Sequence, residues 1–464
     1  MKRRVLDDSQ DVFLVPVLIT SYIKKDKNFQ ILAAALKTGP ARVYAPTFFQ
    51  GYLLASLRDE IWPEEAMLVV APGGAEASRL ADDLCAFAGR MPVRLLPAAG
   101  TAPGSRVIAS SRLVGLRHAA LWSLAAGRPG IVVADIAAVA DGSLDPGRWP
   151  EAVHIGKENP GNFDEIIESL ASLGYERVQQ VEDRGEFAVR GGIIDVFPST
   201  DQAPLRLEFW GDEFESLRRF SPFTQRSLLE EESATVFAAA EPEEPDAGGE
   251  KTAAGRRLSS GLLDREIIRT RVCRIDPAAG RDSFVSYWED VLEASPVGKS
   301  AGHYLRPEEL DERLHAAASL VLESLPADQP HSFSATGFHF ASRRVSEAAV
   351  ELERMVSGGF KVFVHFSSEG AARRAEHNLA GSTAFLAEGK SAPDKPGAYL
   401  VLVPPPTGFV NKDMKLAVVG ERTLIRSSRS ARSRTLGLAG RAIMSFRDLT
   451  PGDFVVHKDH GIGV

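Results

Sequence analysis

The stretch Tyr175–Pro198, YERVQQVEDRGEFAVRGGIIDVFP, decides how the middle of this chain folds. It reads as two strand-forming runs joined by a tight turn at EDRG, yet Arg177, Arg184 and Arg190 stand where an ordinary core hairpin is apolar. With Asp183-Arg184 as a two-residue turn, Glu182 faces Gly185 and Arg177 falls opposite Arg190; a bulge at Gly185 offsets them by one residue. Either pairing makes the two guanidinium groups neighbours. In the next run, PLRLEFWGDE, Leu205, Leu207 and Phe209 alternate with Arg206 and Glu208, so one face enters a core and the other shows an arginine and a carboxylate. Like charges opposed across strands destabilise a sheet. The arginines therefore pair with nearby Asp or Glu, or they serve a partner, for which the planar guanidinium fork is suited because it holds a carboxylate bidentately. Both readings stand at this point.

Working outward, the helix-patterned NFDEIIESLASLG precedes these strands, which makes the region a small α+β unit, while its flanks follow a different rule. From about residue 28 to 140 strands and helices alternate: strand Ala66–Pro72, a helix ending at Gly89, strand MPVRLLP, a helix capped by Ser110 or Ser111 and closed by Gly127, and strand Gly130–Ala140. That order implies a parallel sheet covered on both faces. A Pro/Gly-rich break spans Asp145–Pro160, and an acidic Pro/Ala/Gly stretch follows the α+β unit. Arg306–Leu325 is expected to be one helix with Pro307 in its first turn. A further α/β block follows, then an Arg/Ser-rich segment with Arg422, Arg426, Arg429, Arg432 and Arg434, and finally LTPGDFVVHKDHGIGV, where Asp453–His457 begins a strand with no sheet to join. The expected units are 1–146, an inserted 147–225, 226–332, 333–421, a linker 422–448, and 449–464 as the incomplete start of another domain.

With 464 residues the chain is long enough for roughly three or four domains of about 100–200 residues each. Cys85 and Cys273 have no partner spacing for a metal or redox motif, no apolar run reaches a membrane span, and Asp7, Asp8 and Asp11 spoil the basic start as a signal peptide. A cytoplasmic protein is expected. A net charge of −8 argues against a chain-wide grip on nucleic acid, so DNA contact is expected to be weak or indirect.

Motifs for chemistry are thin. The triplets Gly298-Lys299-Ser300 and Gly389-Lys390-Ser391 lack the glycine five residues earlier that a phosphate loop needs; Glu293 and Ala384 stand there. Asp164-Glu165 and Asp212-Glu213 read as helix N-terminal charge or turn chemistry rather than magnesium ligands. His457 and His460 have no nucleophile or carboxylate framework around them. No catalytic residue and no metal site is expected.

The block RGEFAVRGGIIDVFPS with LRLEFWGDEFESLRRFSPFTQRSL resembles the damage-verification protein UvrB and, more closely, the UvrB-like front half of bacterial transcription-repair coupling factors (Mfd). VIASSRLVGLRHAALWSL is similar to that family's first-domain helix, and LTPGDFVVHKDHGIGV to the opening strand of its RNA-polymerase-interaction domain. The resemblance implies an α/β multidomain fold: a degenerate, helicase-like UvrB-type parallel domain with an inserted α+β domain, then a second small α/β domain. Where UvrB carries a phosphate loop this chain reads LKTGPARVYAPT (Leu36–Thr47), and its tyrosines form no cluster like UvrB's DNA-engaging hairpin. ATP and magnesium are accordingly expected only in a motor that lies elsewhere in full-length relatives. By motif position, the residues facing UvrA are Arg177, Arg190, Arg206 and Glu208, with Phe187 beside them. Ala188 departs from UvrB-like sequences, which often have a further arginine there. The implied role is a monomeric, non-catalytic module that recruits UvrA to RNA polymerase stalled at DNA damage, with polymerase binding left to the missing downstream part. A divergent UvrB-type ATP-dependent helicase and a naturally short UvrA-binding adaptor are the alternatives.

Overall fold

The computed structural model describes residues 19–421 apart from 90, 100–108, 142–148, 158–160, 212, 243–261, 263–269, 295–303, 327–329, 339–344, 380–382 and 386–392, together with 455–457 and 461–463. The chain opens with α1 (Lys27–Thr38), β1 (Ala41–Tyr44), α2 (Thr47–Glu60), β2 (Ala66–Ala71), α3 (Gly74–Cys85), β3 (Val93–Leu96), α4 (Ser111–Ala125), β4 (Gly130–Asp135) and α5 (Ile136–Ala140). Local chemistry fixes the helix ends: Asp26 caps α1 by accepting from the amides of Asn28 and Phe29, Ser110 caps α4, and Gly127 closes α4 at φ +57°. The segment Gly130–Ala140 is not strand throughout. Its strand stops at Asp135, whose carboxylate accepts from Ala137 N and starts α5.

The chain then builds a separate unit from β5 (Val153–Gly156), α6 (Phe163–Ser172), β6 (Glu176–Arg177), β7 (Glu186–Arg190), β8 (Ile193–Val196), β9 (Leu205–Trp210), β10 (Glu213–Phe220), β11 (Ser227–Glu230) and β12 (Ser233–Val236). The stretch Asp145–Pro160, read as a break, thus contains a strand, which pairs antiparallel with β12. Strands β6 to β11 form one six-stranded sheet in sequence order.

After this unit come β13 (Thr270–Ile275), α7 (Pro277–Ala294), α8 (Pro307–Ala317), β14 (Ala318–Glu323) and β15 (His331–Ser332), which return to the first sheet. That sheet has the order β15-β1-β14-β13-β2-β4-β3, with every pairing parallel. The expected helix Arg306–Leu325 is a helix only to Ala317. Ala318, Leu320 and Leu322 alternate into the core as the strand between β1 and β13. All six residues of β2 are buried, as a central parallel strand with both faces covered requires.

The last block holds β16 (Thr336–Gly337), α9 (Val345–Ser357), β17 (Lys361–Phe366), α10 (Glu369–Asn378), β18 (Thr383–Phe385), β19 (Gly397–Leu402), β20 (Phe409–Asn411) and β21 (Leu416–Gly420), in the sheet order β16-β20-β21-β17-β19-β18. It shares a core with the first block. Phe409 packs against Phe49 (5.1 Å between ring centroids), Tyr52 (5.2 Å) and Phe87 (6.4 Å), while Phe363 meets Tyr22. Helix α2 is buried from Phe49 to Arg58 between the two blocks. The chain is therefore an α/β protein of several sheets. Near its end, β22 (Val455–His457) is not left alone but pairs with β23 (Gly461–Gly463). The Arg/Ser-rich segment 422–448 and His460 lie outside the described residues.

Candidate protein-docking face

The six-stranded sheet has one face on α6 and one turned away. Phe187, Ile194, Val196, Leu205, Leu207, Phe209 and Leu217 enter a core with Ile166 and Leu170 of α6. Residues of opposite parity line the other face. Register places Ala188, Asp195, Arg206, Arg218 and Glu230 in one row across β7 to β11, and Arg190, Ile193, Glu208 and Ser216 in the next. Trp210 ends β9 on the same face as Arg206 and Glu208, 77% exposed.

The two rows are tied by ion pairs. Asp195, 1% exposed, accepts from Arg190 Nη2 at 2.7 Å and from Arg206 Nε and Nη2 at 2.7 and 2.9 Å. Arg206 also donates to Gln225 Oε1 and lies 4.5 Å over the ring of Phe220. The hydrogen bonds to Asp195, the largest effect, raise the Arg206 pKa against the opposing pull of burial, so its charge is held firmly. Glu208 accepts from Ser216 Oγ at 2.6 Å and pairs with Arg218 at 3.6 Å. Asp195 sits behind its guanidiniums: the side chains of Arg190 and Arg218 are 50% and 41% exposed, against 17% for Arg206, 1% for Asp195 and 29% for Glu208, while Glu230 at the β11 end of the row is 59% exposed. The exposed charge is cationic at Arg190 and Arg218 and anionic at the margins, at Glu230 and Glu213.

Three expectations about the quoted stretch need correcting. The hairpin is formed by β7 and β8, and its two-residue loop is Gly191-Gly192; Gly191 takes φ +59° and a Cβ on Gly192 would stand 2.4 Å from Phe209 O. EDRG is instead part of a longer loop held by Glu186, whose carboxylate accepts from the amides of Glu182 and Asp183. Second, Arg177 is not opposite Arg190. It lies on β6, which runs parallel to β7, and its register partner is Phe187, so by parity it belongs to the other side of the sheet. Arg190 is paired with Ile193. Third, Phe187 is 2% exposed and fills the core, where it supports β7 from behind. Ala188 is also buried, under Val181 and Phe197, so a longer side chain there would have to displace that cover.

The place where a nucleotide would bind a parallel α/β sheet is the crevice at the carboxyl ends of its strands. In this chain β1 passes to α2 through Ala45 and Pro46 alone. The crevice beyond β1, β13 and β14 is occupied by side chains. Gln50, fully buried, donates to Ser324 Oγ at 2.9 Å; Ser324 donates its amide (2.6 Å) and its hydroxyl to Asp276. Arg79 joins Gln50 Oε1 to Asp83, and Asp83 accepts from Thr407 N of the last block at 2.7 Å. Burial raises the Asp83 pKa, partly offset by these donors. Asp164 and Glu165 fall in the first turn of α6 behind the Asn162 cap, the helix-end role expected of them. Both Gly-Lys-Ser triplets lie outside the described residues, and among those described no group of three His, Cys, Asp or Glu side chains is placed to hold a metal. No helix among them is long and apolar enough to cross a membrane.

Residues 153–241 match the UvrB interaction domain. The resemblance read from the sequence also extends along the chain. It is 29% identical to the transcription-repair-coupling factor of Mycobacterium bovis over 86% of its own length and 38% of that protein's, and 26% identical to that of Bacillus subtilis over 84% and 38%. The Staphylococcus aureus protein of the same name is 23% identical, over 96% and 43%. The similarity is thus to the front part of these factors, and the chain spans about two fifths of the length of the curated relatives it matches.

The alternation of LRLEFW places Arg206 and Glu208 on the outer face of the six-stranded sheet, as found, but Asp195, Arg218 and Trp210 were missed. The alternation of LRLEFW carries the signal for Trp210, two residues beyond Glu208. Asp195 was signalled by a lone acid inside the apolar run IIDV, which a buried ion pair explains.

Proposed function

We propose that this chain is a non-catalytic docking module of transcription-coupled repair, which uses the outer face of its UvrB interaction domain to recruit UvrA. The observation that carries the reading is the ordered band of Arg190, Arg206, Arg218 and Glu208 on the sheet that matches this domain. Guanidiniums held in place by Asp195 lose little conformational freedom on binding, and Arg190 and Arg218, 50% and 41% exposed, remain available for carboxylates of a partner. Arg177, exposed on the edge strand β6, would contact the partner from the rim rather than from this band. The flanking parallel sheet is a UvrB-type scaffold whose nucleotide crevice is taken up by Gln50, Ser324 and Asp276, which supports a chain without ATP or magnesium. RNA polymerase binding and ATP-driven translocation belong to the remainder of the full-length relatives, so linking stalled polymerase to excision repair is a role this module shares in and does not perform alone.

The test is direct titration of UvrA with the chain and with the double variant R190E/R206E. The parent chain should bind saturably, and the variant, if it remains folded, should lose at least tenfold in affinity, more at low salt. Equal binding by both chains would overturn the assignment, and DNA-stimulated ATP hydrolysis by the purified chain would restore the helicase reading.

A further inference from the structure

Trp210 is a large apolar side chain placed in water at the end of a well-ordered strand. Its neighbours on the face are charged or polar, and nothing in the fold needs it: the inner core of this sheet is complete without it. The other tryptophans, Trp62, Trp122, Trp149 and Trp288, are all buried or half-buried. On β11, the strand next to Arg218, Leu228 is 62% exposed at a bulge in the pairing with β10, two residues from Glu230. The two are separated by the arginine–carboxylate band, Trp210 lying four residues along β9 from Arg206, or about 13 Å.

We propose that Trp210 and Leu228 are the apolar anchors of the docking face, each seated in a nonpolar pocket of the same acidic partner surface that meets Arg190 and Arg218. This rests on the docking reading above. Continuity argues for one occupant: Trp210 shares the face and the strand of Arg206 and Glu208, and Leu228 stands exposed on the strand hydrogen-bonded to that of Arg218. A partner covering the band from Arg190 on β7 to Arg218 on β10 must also lie over or beside both of them. Binding energy at protein interfaces concentrates in a few aromatic and arginine side chains that become fully desolvated, whereas rim charges set orientation and rate. A tryptophan fits that role because it brings a large apolar area with little side-chain entropy to lose.

The experiment measures UvrA affinity for W210A, W210F, L228S and R190E/R206E alongside the parent chain, with melting temperature recorded for each. Trp210 and Leu228 are exposed, so the single variants should melt like the parent. W210A should weaken binding at least tenfold and L228S about threefold, while W210F keeps most of the affinity. Trp210 emission should shift to shorter wavelength on titration, and W210F should lose that shift. If R190E/R206E loses binding and W210A does not, the anchors are wrong and the docking face stands. If neither variant changes affinity, the docking reading fails and the anchors with it. If W210A instead abolishes self-association of the parent chain and leaves UvrA affinity unchanged, the occupant is a second copy, and the proposal is overturned.

Discussion

Asp195 holds Arg206 through two hydrogen bonds, from Nε and Nη2 to its two oxygens, and the same carboxylate receives Arg190 from the other side. One buried acid therefore positions two arginines on different strands. This answers how three arginines can share one sheet face: Arg206 and Arg218 are direct cross-strand neighbours, and their repulsion is offset by Asp195 on one side and Glu208 on the other. Intramolecular pairing and partner binding are not alternatives here, because Arg190 and Arg218 stay 50% and 41% exposed while paired.

Replacing Asp195 by Ala should consequently destabilise the domain by about 1–3 kcal/mol, since Arg206, buried to all but 17%, loses its main acceptor. Arg190→Ala should cost less, and Arg177→Ala, exposed at the sheet edge, should leave the melting temperature unchanged. Denaturant unfolding of the three variants checks the order. Equal effects of the Asp195 and Arg177 substitutions would contradict the geometry.

Alternation in PLRLEFWGDE was legible because a sheet with one wet face imposes a period of two on every residue, and the parallel block was legible because its strands are continuous apolar runs. What misled was tertiary. Gly185 looks like a turn residue, but its φ of +86° serves a close approach: a Cβ there would stand 2.5 Å from Ser111 Oγ of α4, a residue distant in sequence. ASLVLE continues the helix pattern of α8 without a break, and only the vacancy between β1 and β13 makes it a strand. Arg206 and Glu208 were visible by parity, whereas Arg218 and the acid that Arg190 and Arg206 share required the register that the Gly191-Gly192 loop and the β9–β10 pairing set.

ATP should not bind. Isothermal titration of the chain with ATP and magnesium should give no saturable heat, because the step from β1 to α2 has too few backbone amides to wrap phosphates and Gln50 fills the space beyond it. Saturable binding abolished by Lys37→Ala would overturn this.

Acid should loosen the joint between the first block and the unit built from β5 to β12. His118 on α4 accepts from Ala238 N at 2.8 Å and stacks on Trp149, and burial pushes its pKa down to about 4 from 6.5. The unfolded chain takes up the proton first, so the stability this neutral ring provides is present above pH 6.5 and is lost as pH falls towards 4, a change of roughly 3 kcal/mol. His365, lowered to about 3, acts in the same direction. Melting temperature against pH should therefore fall more steeply in the parent than in H118Q between pH 6.5 and 4; parallel curves would show that His118 is not a contributor.

The seam between the first and last α/β blocks gives the final prediction. Phe409 is fully buried and its ring meets Phe49, Tyr52 and Phe87 at once, so it joins β20 of the last block to α2 of the first. Beside it Asp83 reaches across to Thr407 N, and α3 can approach α2 this closely because residue 51 is glycine: a Cβ there would stand 2.8 Å from Asp83 Cβ. Phe409→Ala removes the ring and leaves a cavity that three aromatic side chains cannot readily close, a loss of about 3–5 kcal/mol. Asp83→Ala should cost less, about 1–3 kcal/mol, by leaving the Thr407 amide without its acceptor. Because both act at the seam and far from the docking sheet, the last block should separate first, seen as faster proteolytic cleavage between β14 and β16 and as two unfolding transitions in place of one. UvrA affinity should be unchanged in either variant at a temperature where the UvrB interaction domain remains folded. A loss of affinity equal to that of R190E/R206E would mean that the last block, and not the outer sheet face alone, takes part in docking.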